Sequence, residues 1–200
     1  MRGLLLRAPK GDRVRPTQDR VREAVFSMLA AKVPGARTLD LFAGTGALGL
    51  EAASRGATHV TWVEEDRRAA EVIRKNARLL DGRACEGVVV CDEVSRFLRR
   101  LADTDGNRQA HADGQAQKNF SLPPSAFSLV FADPPYEWVA RVGWGKTMAA
   151  LGCGVLAGDG VFVAEQAAEQ PAWTGEGWEV LRDRVYGGTR VCVYRKGAET

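Results

Sequence analysis

Asp40-Leu-Phe42-Ala-Gly44-Thr-Gly46-Ala-Leu-Gly49 is the first stretch of this chain with the spacing of a ligand cradle, and Glu64 follows fifteen positions past its last glycine. Glycines let the backbone turn tightly and approach a bound group, and a helix starting inside the run offers unpaired N–H groups. An acid at the end of a second strand suits ribose hydroxyls. The same glycine pattern is often only a structural strand–helix turn, but its setting narrows the choice. In dinucleotide sites the first glycine follows the strand closely, so that pyrophosphate can rest on the helix. Here Asp40 stands four residues ahead of Gly44. A carboxylate at that place opposes pyrophosphate and attracts an ammonium group. S-adenosylmethionine carries an amino group and a sulfonium and has no phosphate, so the spacing favours a methyl donor over a dinucleotide.

The second constellation is Asp133-Pro134-Pro135-Tyr136. Two prolines after a strand stiffen the turn and fix where the neighbouring carboxylate and carbonyl point. Tyr136 then projects from a rigid corner on which a planar base could stack. The exocyclic amine of a base is a poor nucleophile, because its lone pair is delocalised into the ring. A carboxylate and a backbone carbonyl, here Asp133 and Pro134, accepting its two N–H bonds favour a pyramidal nitrogen with the lone pair facing the methyl. In-line transfer then needs mainly proximity and alignment. Alone, the segment reads as well as a proline-rich turn with a packed tyrosine; behind the Asp40–Gly49 run it reads as an acceptor site.

Elements able to hold both groups are legible in the hydrophobic pattern. Val21, Ala24, Val25, Met28 and Leu29 recur at helical spacing behind Pro16, with Thr17 as the expected cap and Pro34-Gly35 as the stop. Strands are expected at 38–42, 60–64, 87–91, 127–132 and 161–165. Helices are expected through about Ser54, over 67–80 and 94–101, and near 146–151. Two final runs, 179–186 and 190–194, flank Gly187-Gly188-Thr189 and read as an antiparallel hairpin. Alternating strands and helices imply an α/β fold, a parallel sheet covered on both faces with one antiparallel strand supplied by the hairpin.

At 200 residues, 45% hydrophobic and 26% charged, the chain is expected to be one globular domain, neither disordered nor fibrous. Its four cysteines form no CxxC pair, and with two scattered histidines they suggest neither a metal site nor a disulfide framework. No apolar run approaches the roughly 20 residues of a membrane span, and Leu4-Leu5-Leu6 is too brief for a signal segment. A cytoplasmic protein without membrane association is expected. The net charge of +3 divides unevenly: residues 1–25 carry +4 and the remainder −1. An N-terminal arm over 1–16 ahead of a domain over 17–200 fits phosphate contacts through Arg7, Lys10, Arg13 and Arg15, continued by Arg20 and Arg22. The same charges could equally form a solvated tail. Residues 102–126 are polar and are expected to be an insertion in the domain.

Arg15-Pro-Thr-Gln-Asp-Arg-Val-Arg-Glu-Ala-Val-Phe, Leu39-Asp-Leu-Phe-Ala-Gly-Thr-Gly-Ala-Leu-Gly-Leu-Glu-Ala and Phe131-Ala-Asp-Pro-Pro-Tyr together resemble the bacterial 16S ribosomal RNA guanine-N2 methyltransferase family. The resemblance runs from about Arg2 to Arg195, and its first segment is the most family-specific. It implies a Rossmann-like class I methyltransferase sheet of seven strands, S-adenosylmethionine as donor, and one guanine of small-subunit rRNA as target, in an assembling subunit, for a monomeric enzyme. It further implies that Asp40, Phe42, Gly44 and Gly46 line the methionine part of the donor and Glu64 its ribose. Asp92 would lie near the adenine amine, and Asp133 to Tyr136 would hold the guanine, Asp133 also facing the donor. The helix start from Thr17 to Arg22 would border donor and RNA. Family members usually begin with an extra strand and a glycine-basic segment before the position of Arg2, so part of an N-terminal hairpin is expected to be absent here or to begin upstream. The 102–126 insertion is longer than family members usually carry.

A DNA adenine-N6 methyltransferase would use the same Asp133–Tyr136 chemistry, but generally carries a separate target-recognition region. A protein-glutamine methyltransferase resembles an NPPY pattern instead. Asp40 and the DPPY corner both speak against a dinucleotide oxidoreductase, and an intact Asp133 and Tyr136 would be superfluous in a non-catalytic nucleotide-binding module.

Overall fold

The computed structural model describes residues 16–80, 84–104 and 127–197. The arm up to Arg15, and the 105–126 part of the insertion expected at 102–126, lie outside the described residues. Helix α1 (Pro16–Met28) opens the described chain. It starts at the proline rather than behind a Thr17 cap, which corrects the expected boundary and puts Thr17 in the first turn. Proline suits the first helical position, since its φ is preset and it has no N–H to leave unpaired. There follow β1 (Arg37–Leu41), α2 (Ala47–Ser54), β2 (His59–Glu64), α3 (Arg67–Ala77) with a 3₁₀ turn (Arg78–Leu80), β3 (Glu86–Cys91) and α4 (Val94–Thr104). The second half contains β4 (Phe127–Ala132), α5 (Tyr136–Val142), α6 (Gly145–Ala150), β5 (Leu156–Ala167), β6 (Trp178–Tyr186) and β7 (Thr189–Lys196). Because α4 runs to Thr104, the first residues of the expected insertion are helix.

The strands form one sheet in the order β3-β2-β1-β4-β5-β7-β6. Pairing is parallel from β3 to β5, and β7 runs antiparallel to both β5 and β6. The hairpin therefore supplies the single reversed strand, as expected. Strand order reverses between β1 and β4, and in open α/β sheets the crevice beyond the carboxyl ends at such a switch point is where ligands bind. Asp40 lies in the last turn of pleat of β1, and Asp133 follows β4 directly.

Side-chain alternation divides the core into two layers. On one face Phe26 of α1, Leu50 of α2 and Ile73 of α3 pack with Trp62, Leu129, Phe131 and Val163. On the other, Phe97 of α4, Trp144 and Met148 pack with Leu39, Leu41, Val130, Ala132, Phe162 and Ala164. Strands covered on both faces read as nearly continuous apolar runs, which is why they were legible. The alternation also assigns the polar residues: Asp40, Asp133 and Glu165 fall on the face covered by α1 and α2.

Candidate functional site

The chain leaves β1 through three left-handed residues, Phe42 at φ 58, Gly44 at φ 53 and Gly46 at φ 78. For phenylalanine this conformation costs on the order of 1–3 kcal/mol, and Phe42 is held there with its ring edge-on to Trp138, centroids 4.8 Å apart. The glycines divide their work. A Cβ at Gly44 would meet nothing within 4 Å, so the space over it is open. A Cβ at Gly46 would stand 3.1 Å from Ile73, and one at Gly49 only 2.2 Å from the Trp62 indole nitrogen. Trp62 Nε1 also donates to the Gly46 carbonyl at 3.2 Å. The last two glycines thus seat the loop and α2 on β2 and α3, and the first leaves room for a ligand.

Asp40 is buried, and its Oδ2 accepts the Gly49 N–H at 2.8 Å. Burial pushes its carboxyl up to about 8, against the pull of that hydrogen bond, and the charges of Asp133 and Glu64 add to the rise. Such a group fits a ligand that brings a positive charge. Glu64, closing β2, accepts the Gly44 N–H at 2.8 Å and the Asp66 N–H at 2.9 Å, which ties the two strand ends together. Asp92, after β3, turns toward α4 instead: it pairs with Arg96 at 3.3 Å and with Arg100, and accepts the Glu93 N–H at 2.9 Å.

Asp133 is open to solvent, yet desolvation raises its carboxyl to about 6. Pro134 beside it is buried, and Tyr136 opens α5 with 48% of its surface exposed. The Tyr136 hydroxyl lies 3.3 Å from Thr189 Oγ1, so the first residue of β7 borders the same corner. Of the residues assigned to RNA, Arg20 is exposed on α1 and Arg22 forms an ion pair with Asp19 at 2.8 Å. Arg7, Lys10, Arg13, Arg15 and the side chain of Thr17 lie outside the described residues.

The fold therefore gathers Asp40, Phe42, Gly44, Gly46, Glu64, Asp133 and Tyr136 at the carboxyl ends of β1, β2 and β4, and keeps Asp92 toward the α4 side. Sequence reasoning missed Glu165. It lies on β5, one residue past the Ala132–Ala164 register pair and so level with Asp133. Burial first, then the charges of Asp133 and Asp40, push its carboxyl up to about 8, while Arg22 opposes the rise. The available signal was an acid closing the apolar run Val161–Ala164.

A sheet of this order with one reversed strand, carrying a glycine loop after β1, is the fold of class I S-adenosylmethionine-dependent methyltransferases. The family model described as Conserved hypothetical protein 95 matches residues 1–195, and the chain belongs to that family. Ribosomal RNA small subunit methyltransferase D of Escherichia coli K12 is 33% identical over 200 residues, spanning 99% of this chain and 87% of that one. The yhhF protein of Escherichia coli has a solved structure with a TM-score of 0.74 and 32% identity, covering 97% of this chain and 92% of its own. The fold also matches SMU.776, solved with S-adenosylhomocysteine, at a TM-score of 0.66 and 14% identity, covering 90% of this chain and 50% of that one. Among the described residues no helix is long and apolar enough to cross a membrane.

Proposed function

We propose that the protein transfers a methyl group from S-adenosylmethionine to the exocyclic N2 of a guanine in 16S rRNA, within an assembling small ribosomal subunit. Methylation of rRNA with this donor agrees with the names of the relatives; an exocyclic amine as acceptor rests on the site, and guanine N2 on the resemblance carried by residues 15–26, 39–52 and 131–136. The observation that carries it is the placement of Asp40 and Asp133 on one face, at adjacent carboxyl ends on either side of the switch point. Bound there, the donor supplies an electrophilic methyl on its sulfonium. Asp40 pairs with the ammonium, the backbone at Gly44 and Gly46 follows the methionine part beside Phe42, and Glu64 faces the ribose. Asp92 closes the adenine end from the α4 side. Asp133 and the Pro134 carbonyl accept the two N–H bonds of the target amine while Tyr136 stacks on the base. Arg20 and Arg22 extend the basic arm toward phosphates. The test is transfer of labelled methyl to small-subunit rRNA fragments followed by nucleoside analysis. N2-methylguanosine is the expected product; a methylated nucleoside other than N2-methylguanosine, or transfer to DNA supplied in a parallel reaction and none to the rRNA, would overturn the assignment.

Asp40 gives a binding signature. At pH 7 a carboxyl titrating near 8 is mostly protonated, and pairing it with an ammonium requires the ionised form. Donor binding should therefore release nearly one proton at pH 7 and tighten as pH rises toward 8. Calorimetry with S-adenosylhomocysteine in buffers of different ionisation enthalpy measures this, and Asp40→Asn should abolish the proton release and weaken binding.

Tyr136 separates stacking from hydrogen bonding. Tyr136→Ala should cut transfer severely, since the ring face positions the base. Tyr136→Phe should stay within a few-fold of wild type, because its exposed contact with Thr189 is long at 3.3 Å. Equal loss in both variants would give the hydroxyl a role.

A further inference from the structure

We propose that Glu165 selects the target base by accepting the N1–H of guanine beside Asp133. The inference rests on the guanine-N2 assignment above and deepens it. Guanine presents on its Watson–Crick edge an N1–H next to the N2 amine, both donors, whereas adenine presents an unprotonated N1, an acceptor. If Asp133 and the Pro134 carbonyl take the two amine hydrogens, the N1–H needs a further acceptor on the same side.

Glu165 is placed for that role by register and by alternation. Ala132 and Ala164 are the last paired residues of β4 and β5, so Asp133 and Glu165 are next in line on strands about 4.8 Å apart. Phe131 and Val163 belong to the α1 face and Ala132 and Ala164 to the other, so Asp133 and Glu165 both return to the α1 face. Phe26 of α1 lies against Phe131 there, ring centroids 5.4 Å apart. Among the described residues the Glu165 side chain makes no hydrogen bond and no ion pair, while its backbone pairs with Val191 of β7. The charged groups that bear on it are Asp133 and Asp40, which repel its carboxylate, and Arg22 of α1, which attracts it. A partly buried acid with two acids beside it resists ionisation in the free protein. A ligand edge made of N–H donors favours its ionised, accepting form; an acceptor edge gives the ionised form nothing to bond.

The experiment replaces the target guanosine of an rRNA fragment, mapped beforehand with wild-type protein, by 2-aminopurine. This base keeps the exocyclic amine and lacks the N1–H. Sites built to bond a substrate hydrogen reject analogues lacking it strongly, so at about pH 8.5, where the Glu165 carboxyl is mostly ionised and can only accept, wild type should prefer guanine by about 30-fold or more in kcat/KM. Glu165→Gln presents an amide N–H₂ able to donate to the bare N1, and should bring the two substrates within a few-fold of each other. 2-Aminopurine also lacks the 6-oxo group, but both proteins meet that same difference, so the change in ratio reports on residue 165. Wild type that uses 2-aminopurine as readily as guanine overturns the proposal without any variant. So does a Glu165→Gln protein that binds S-adenosylhomocysteine normally and keeps the wild-type ratio. Absence of N2-methylguanosine in the parent fragment would overturn the function assignment itself, and this inference with it.

Discussion

Asp133→Ala should abolish most methyl transfer while leaving affinity for S-adenosylhomocysteine nearly unchanged. The carboxylate stands directly after β4, where its surroundings strip part of its hydration and a stacked base would strip more. Removing one such acceptor from the transition state costs about 2–4 kcal/mol, or roughly 30- to 1000-fold in rate. Asp133→Asn should be milder, because the amide oxygen still accepts one N–H. Single-turnover rates with saturating donor and RNA isolate the chemical step from binding. If Asp133→Ala loses donor affinity in proportion to rate, its place is in the donor pocket and the acceptor role falls.

Gly49→Ala should be the most damaging single methyl that can be added near the site. Its Cβ would stand 2.2 Å from Trp62 Nε1 and 2.7 Å from Val60 Cγ1. Trp62 is fully buried in β2 and cannot swing aside, so α2 must lift from the sheet. Overpacking of this kind costs about 1–3 kcal/mol, and at about 2–4 °C per kcal/mol for a chain of this size the melting temperature should fall by roughly 2–12 °C. Lifting α2 also draws the Gly49 N–H from Asp40, so donor binding should weaken with stability. Trp62→Phe removes the atoms nearest the clash, and in the double variant part of the loss should return as a coupling energy. An unchanged melting temperature for Gly49→Ala would mean that the loop has slack not visible in its packing.

Why some of this was readable in the sequence and some was not follows from the physics of each residue. The buried strands announced themselves as apolar runs, and the Asp40–Gly49 and Asp133–Tyr136 segments carry local geometry in their own glycines and prolines. Helix α5 was missed because its seven residues begin on the acceptor tyrosine and give too little helical period. The first five residues of β5 were missed because Leu156-Ala-Gly-Asp-Gly reads as a turn; the strand there is held by pairing with Phe127 across an irregular register. Trp62 as the seat of the glycines and Glu165 as a neighbour of Asp133 are cross-strand facts. They depend on which strands lie side by side, and no single window of sequence contains both partners.

The position of β7 fixes an order of assembly. The strand that comes last along the sequence among those described lies inside the sheet, between β5 and β6, and carries the buried residues Val191, Cys192, Val193 and Tyr194. A growing polypeptide would therefore present the backbone edge of β5 unsatisfied until residues 189–196 have emerged. Because β6 and β7 are joined by a tight turn, they can zip together as a local hairpin and then dock as a unit through the free side of β7. Tyr136 touches Thr189 at the turn of that hairpin, so the last contact around the acceptor corner forms only with this docking event.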